Sequence, residues 1–227
     1  MTIAALEPRS LFIVALPRSL STLVHGQACA ALGLRSPRWT SAGEILNGDR
    51  VVIAGEGAPQ RAKFTPPESG YETEQLHEFL DHVVRPRGWA YKDVVQPFAV
   101  CRWLPGRPLA ALRIRRSLTD VAFSMARAGW RYPERAGTGD TDDERWLAGL
   151  ARAAAALDGL AAEVVEFDDL IREPETLRAS LARLYPGRHV PVFDYIDAGF
   201  ERRREALDRD RESAAWRDLD RRLRALP

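Results

Sequence analysis

The chain has 227 residues, with 33 Lys and Arg against 32 Asp and Glu, a net charge of +1, and 45% hydrophobic residues. This length suits one α/β domain with a proper core, and the even charge balance argues against a protein that coats nucleic acid or an acidic membrane. Cys29 and Cys101 show no CxxC spacing, the first residues lack a signal-peptide layout, and no apolar run approaches the ~20 residues a bilayer requires. A soluble, cytoplasmic protein without disulfides or zinc is expected.

Residues 10–16 form a short apolar run, β-branched in the middle and ended by Pro17, which predicts a buried strand. Leu20, Leu23, Val24, Gln27, Ala28 and Ala31 then recur at helical spacing, and Gly33 is placed to end that helix. Residues 51–70 are rich in Gly and Pro and read as an irregular excursion. An amphipathic helix over 72–84 precedes a second strand over 88–95. A third strand over 108–116 runs directly into a helix over 117–130, and the polar stretch 131–144 reads as a mobile surface loop. A strong helix over 145–162 is followed by a fourth strand over 162–167 and a helix over 174–185. The tail, 200–226, reads as one charged helix with opposite charges three or four residues apart. No repeat or linker divides the chain, so 1–227 is taken as a single domain with a charged helical segment from about 199.

Strands alternating with helices predict a three-layer α/β fold, with a mainly parallel sheet of about four to five strands covered by helices on both faces. Ligands of such sheets sit beyond the carboxyl ends of the strands. That puts Pro17–Thr22 and Arg116–Ser124 on one edge of the molecule.

The turn Pro17-Arg18-Ser19-Leu20-Ser21-Thr22 joins a strand to a helix. Unpaired N–H groups and the helix dipole make a helix N-terminus a site for anions. Ser19, Ser21 and Thr22 add hydroxyls, and Arg18 adds a permanent, planar cation. The plain alternative is a serine cap with Arg18 in water. The turn lacks the lysine of a P-loop kinase, and no Mg²⁺ site is evident. In the second segment, Ser117 and Asp120 have the spacing of a capping box. Ser124, two turns into the helix, shares their face, which looks toward the strand end carrying Arg116. Ser124 could instead bond its own helix backbone.

Together these segments resemble the sulfotransferases that use 3′-phosphoadenosine-5′-phosphosulfate (PAPS). Residues 17–22 resemble that family's 5′-phosphosulfate loop, P-[KR]-S-G-[ST]-[ST]. Residues 116–124 resemble its 3′-phosphate motif, an arginine at a strand end with a serine eight positions on. The stretch 164–185 is similar to the family's later strand, acidic-Leu turn and helix, and Lys92 stands where the family has a strand lysine. The resemblance runs from about Leu11 to Tyr185. It departs at Leu20, where glycine is usual, at Val94, where a histidine base would stand, and in lacking a C-terminal basic loop. The segment 200–211 could supply cations in its place, although a solvated helix is the plainer reading.

The resemblance implies P-loop-like sulfuryl transfer from PAPS, releasing PAP, to a hydroxyl or amine of a small-molecule acceptor. No metal, nucleic acid or membrane is implied, and a homodimer is open. Arg18, Ser19, Leu20, Ser21 and Thr22 would hold the 5′-phosphosulfate, Arg18 acting in catalysis as well. Arg116 and Ser124 would hold the 3′-phosphate, and loops 40–75 and 130–145 would receive the acceptor. For the base, Glu44 comes first, as some bacterial members place a carboxylate after the first helix, although Ser41-x-x-Glu44 also fits a capping box. His25, read as lying off the apolar stripe, is the second candidate. The rival readings are a small nucleotide-dependent kinase or phosphotransferase, and a non-catalytic nucleotide-binding protein on the same scaffold.

Overall fold

A computed structural model of the chain describes residues 7–47, 63–132 and 134–226. Most of the Gly- and Pro-rich excursion lies outside them. Four strands, β1 (Leu11–Ala15), β2 (Ala90–Asp93), β3 (Ala110–Arg115) and β4 (Glu163–Glu166), form one sheet in the order β2-β1-β3-β4. Every pairing is parallel, with Leu11 opposite both Ala90 and Ala110, and Leu112 opposite Glu163. β1 and β2 are buried along their whole length: β1 is an inner strand covered on both faces, and the outer edge of β2 is covered by the segment at Gly43–Ile45.

Helix α1 (Ser21–Leu32) follows β1, α2 (Gly70–Val83) precedes β2, and α3 (Pro97–Trp103) joins β2 to β3. Between β3 and β4 come α4 (Leu118–Arg127) and α5 (Asp142–Asp158), the latter opened by a Thr141–Glu144 capping box. A short turn α6 (Phe167–Leu170), α7 (Pro174–Leu184), α8 (Ala198–Glu212) and α9 (Ala214–Arg224) complete the chain. The chain moves one way from β1 to β2 and the opposite way from β2 through β3 to β4. Right-handed crossovers therefore put α1 on one face and α3, α4 and α5 on the other. The result is the expected three-layer α/β fold. Its direction reverses between β1 and β3, which opens a crevice at their carboxyl ends.

Three local readings need correction. α3 was not anticipated. Pro97 starts it, and Phe98, Ala99, Val100 and Trp103 are buried, leaving Arg102 as its one exposed residue, too little of a solvent face to reveal a helical period. α1 buries Ser21, Val24, His25, Ala28 and Leu32, a stripe rotated from the one read in the sequence, so His25 lies inside it. The tail is two helices, broken at Ser213, whose hydroxyl accepts from Trp216 N at 3.1 Å as the cap of α9. Both helices pack back on their own domain: Thr119 donates to Asp220 at 2.8 Å, and Arg127 pairs with Asp210 at 2.8 Å.

Candidate functional site

The crevice holds a cleft of about 1090 Å³ bordered by described residues of the β1–α1 turn, the tip of β3, the start of α6 and one side of α8. The turn is shaped by two non-glycine residues at positive φ, Arg18 at 66° and Leu20 at 58°. Leu20 is the residue preceding α1, with left-handed φ and ψ, and its carbonyl accepts from Val24 N at 3.1 Å. α1 has no side-chain cap and no acidic residue in its first turn, so its leading N–H groups remain available to an anion. The Ser19 hydroxyl is buried and has no hydrogen-bond partner among the described residues. An unsatisfied buried hydroxyl beside uncapped amides is the donor chemistry an oxyanion would complete.

The second segment meets the first directly. Arg18 Nε donates to Ser124 Oγ at 3.2 Å, so Ser124 faces the turn. Arg116 donates from one η nitrogen to the Arg18 carbonyl, and its guanidinium lies over the Phe167 ring at 4.2 Å from the centroid. Arg116 has no ion-pair partner among the described residues, and its buried Nε is unsatisfied. Burial pushes its pKa down to about 10, with Asp120 and Asp168 opposing that shift and Arg211 and Arg18 adding to it. Asp120 departs from the reciprocal capping box. Its N–H reaches Ser117 Oγ at 3.5 Å, but its carboxylate turns inward to Arg211 and Trp216.

Lys92 is the residue whose part the sequence leaves least defined. Its side chain is 3% exposed, and Nζ donates to Thr22 Oγ1 at 2.8 Å and pairs with Glu44 Oε2 at 3.3 Å. A lysine from the neighbouring strand thus stands beside the turn that has none of its own. The signal was its position near the end of a fully buried strand, where a cation needs an anionic or polar partner.

Glu44 lines the cleft and also accepts from Asn47 Nδ2 at 3.2 Å. No described helix starts at Ser41, so the capping-box alternative for Glu44 fails. The segment instead lies along β2, with Lys92 N donating to Gly43 O at 2.8 Å and Ile45 N to Lys92 O at 3.3 Å. His25 is not brought to the cleft. It is 2% exposed, and Nε2 lies 3.1 Å from the Ala90 carbonyl. A carbonyl only accepts, so Nε2 carries the proton. Burial holds its pKa below 6.5; the Ala90 bond opposes this and Lys92 reinforces it. Gly43, at φ 74°, sits so close that a Cβ there would fall 2.3 Å from His25 Nε2. His25 therefore lies under the turn that carries Glu44.

Loops at the expected positions also border the cleft. Lys63 lies over the Tyr132 ring at 4.6 Å, Tyr132 stacks on Trp130 at 5.9 Å, and Arg18 lies over Trp130 at 5.3 Å. No described helix is long and apolar enough to cross a membrane.

No protein-family model matches the chain, and no curated protein matches its sequence. Among solved structures it is similar to the sulfotransferase domain from the curacin biosynthetic pathway, with 15% identity, a TM-score of 0.45, and coverage of 83% of this chain and 76% of that one.

Proposed function

We propose that the chain is a PAPS-dependent sulfotransferase acting on a small-molecule hydroxyl or amine. The observation that carries this reading is the meeting of the two motif segments, Arg18 Nε on Ser124 Oγ and Arg116 on the Arg18 carbonyl. Two anion sites joined through Arg18 fit a donor with phosphate groups at both its 3′ and 5′ positions. The residues present fit it: Ser19 and Arg116 keep unsatisfied buried donors, and the N-terminus of α1 is uncapped.

PAPS would supply the sulfuryl group and leave as PAP. In the transfer, the acceptor oxygen or nitrogen would form a bond to sulfur, and the bond from sulfur to the phosphate oxygen would break. The bonding electron pair stays on that phosphate oxygen. Arg18, Lys92 and the first amides of α1 stabilise the charge that develops there, and losing one such preorganised donor typically costs about 10²–10³ in rate. Arg116 and Ser124 hold the remote phosphate and turn its binding into alignment. Glu44 takes the acceptor proton, and its pairing with Lys92 holds it beside the turn. His25 supports the Glu44 turn and is not assigned to the chemistry.

Lys92 beside Thr22 also favours a second reading, a nucleotide-dependent phosphotransferase, because it places a cation where a P-loop lysine would act. Calorimetric titration with PAP, ADP and ATP–Mg²⁺ separates the two. PAP alone binding tightly supports sulfuryl transfer, and ATP–Mg²⁺ binding without PAP binding refutes it. With labelled PAPS and a panel of phenols and amines, Glu44→Gln should lower kcat at least 100-fold with PAP affinity kept within threefold.

A further inference from the structure

Arg116 lies close to two carboxylates and pairs with neither. Asp120 stands one helical turn beyond it on α4, and Asp168 directly follows the Phe167 ring that the Arg116 guanidinium covers. A buried carboxylate near an arginine normally takes that arginine as its partner. Here another residue has taken both. Arg211, from the end of α8, reaches Asp120 with Nε at 3.2 and 3.3 Å and with an η nitrogen at 2.5 Å. The same η nitrogen reaches the two oxygens of Asp168 at 2.9 and 3.0 Å. Trp216 Nε1, from α9, completes Asp120 at 2.7 Å. The Asp120 side chain is fully buried, and these contacts come from residues about ninety positions away in the chain.

Charge decides what this arrangement does. Asp120 and Asp168 together carry two negative charges, and Arg211 and Arg116 carry two positive ones. With Arg211 absent, Arg116, which already feels the charge of both acids, would be left to face them. It would swing toward them, or its field would be cancelled where it stands. A two-acid, one-arginine cluster beside the cleft would also repel an incoming phosphate. With Arg211 in place both acids are satisfied, and Arg116 keeps its charge and its free donors.

We propose that Arg211 is a positioning residue that keeps Arg116 available to an anionic ligand by occupying Asp120 and Asp168. The role rests on the two-phosphate reading of the cleft. It also gives the C-terminal helices a function in binding: among the contacts that hold α8 as a wall of the cleft are those that keep Arg116 uncaptured.

The test is a charge rescue, read as PAP affinity by calorimetry on the full chain. Arg211→Met should weaken PAP binding at least tenfold. Adding Asp120→Asn removes the buried charge that would capture Arg116, and it should restore affinity to within about threefold of the unsubstituted chain. A purely structural Arg211 would give no rescue, since the double variant lacks the clamp entirely; that result overturns the proposal. So does an Arg211→Met chain that binds PAP normally. If Arg211→Met does not fold, Arg211→Lys keeps one charge but loses the fork. It should weaken binding about threefold, and Asp168→Asn should recover it; failure to recover counts equally against the proposal. The series is repeated with inorganic pyrophosphate, which also reports on Arg116. Loss and rescue with pyrophosphate, in a chain that never binds PAP, would refute the functional reading and keep this one.

Discussion

Leu20 occupies a backbone position that glycine would take without strain, and exchanging it tests what the first turn depends on. Its φ is 58° and ψ 20°, a left-handed geometry that costs a residue with a Cβ roughly 1–2 kcal/mol. Leu20→Gly removes that strain. Against this, the more flexible unfolded chain costs about 0.4–1 kcal/mol. Loss of a partly buried leucine packed on the core costs about 1 kcal/mol more. The terms nearly cancel, so stability should stay within about 1 kcal/mol, a melting shift of no more than ~4 °C for a chain of this size. The left-handed turn is what aims the leading amides of α1, and glycine keeps it, so PAP affinity should change less than about threefold. Leu20→Val is the contrasting exchange. A β-branched residue is strongly disfavoured at positive φ, and strain of order 1–3 kcal/mol should lower both melting temperature and PAP affinity, the latter by about tenfold for each 1.4 kcal/mol that reaches the bound state. Calorimetry and thermal melting read both quantities. If Leu20→Gly loses tenfold in affinity while Leu20→Val keeps it, the leucine side chain is the active element and the backbone argument is wrong.

Two further exchanges probe the ground beneath the site. Asp93 is the buried last residue of β2, with one oxygen accepting from Gln96 N at 2.8 Å and the other without a partner among the described residues, and burial pushes its pKa from 3.8 up to about 7. A raised carboxyl pKa makes stability greatest below pH 3.8 and loses it as pH climbs through about 7. Asp93→Asn should therefore raise the melting temperature at pH 8 and add little at pH 4, with an upper bound of about 4 kcal/mol; equal gains at both values would reject the assignment. Gly43→Ala puts a Cβ into the His25 ring at a positive-φ position. It should cost about 2–4 kcal/mol in thermal melting and slow turnover by displacing Glu44. A stable, fully active variant would show that this turn is not held by His25.

The parts of the fold legible in the sequence were those with local causes. β1 showed as an apolar run stopped by Pro17, and Gly33 ends α1 at φ 65° with its N–H on the Cys29 carbonyl, as its position suggested. α3 was hidden because a helix buried nearly all round shows no amphipathic period. The break at Ser213 was hidden because i,i+3 and i,i+4 charge pairs continue on the far side of it, as in Arg221–Asp218 and Arg224–Asp220. His25 was misplaced because α1 is covered on a second side by the Gly43 turn, which no pattern within α1 records. For the site, the meeting of residues 17–22 with 116–124 followed from topology, since both end strands at the switch point of the sheet. The partners Lys92–Thr22 and Arg211–Asp120 did not, because each joins segments 70 or more residues apart and neither has a local signature.

Placement, rather than composition, gives the cleft its polarity. The chain is almost neutral overall at +1, yet Arg18, Lys63, Lys92, Arg116 and Arg203 line the cleft against Glu44 and Asp210. Both of those carboxylates are already engaged, Glu44 by Lys92 and Asp210 by Arg127, which lies outside the cleft lining. The acids that would balance Arg116 are held by Arg211. A crevice with its cations arranged in this way favours a ligand with more than one anionic group. One phosphate at the α1 amides would leave Arg116 and Ser124 unused. Two phosphates, spaced to meet Ser19 at one end and Arg116 at the other, would use both sets of donors. This is the physical content behind the resemblance of two short motifs, each of which alone is only a turn and a helix start.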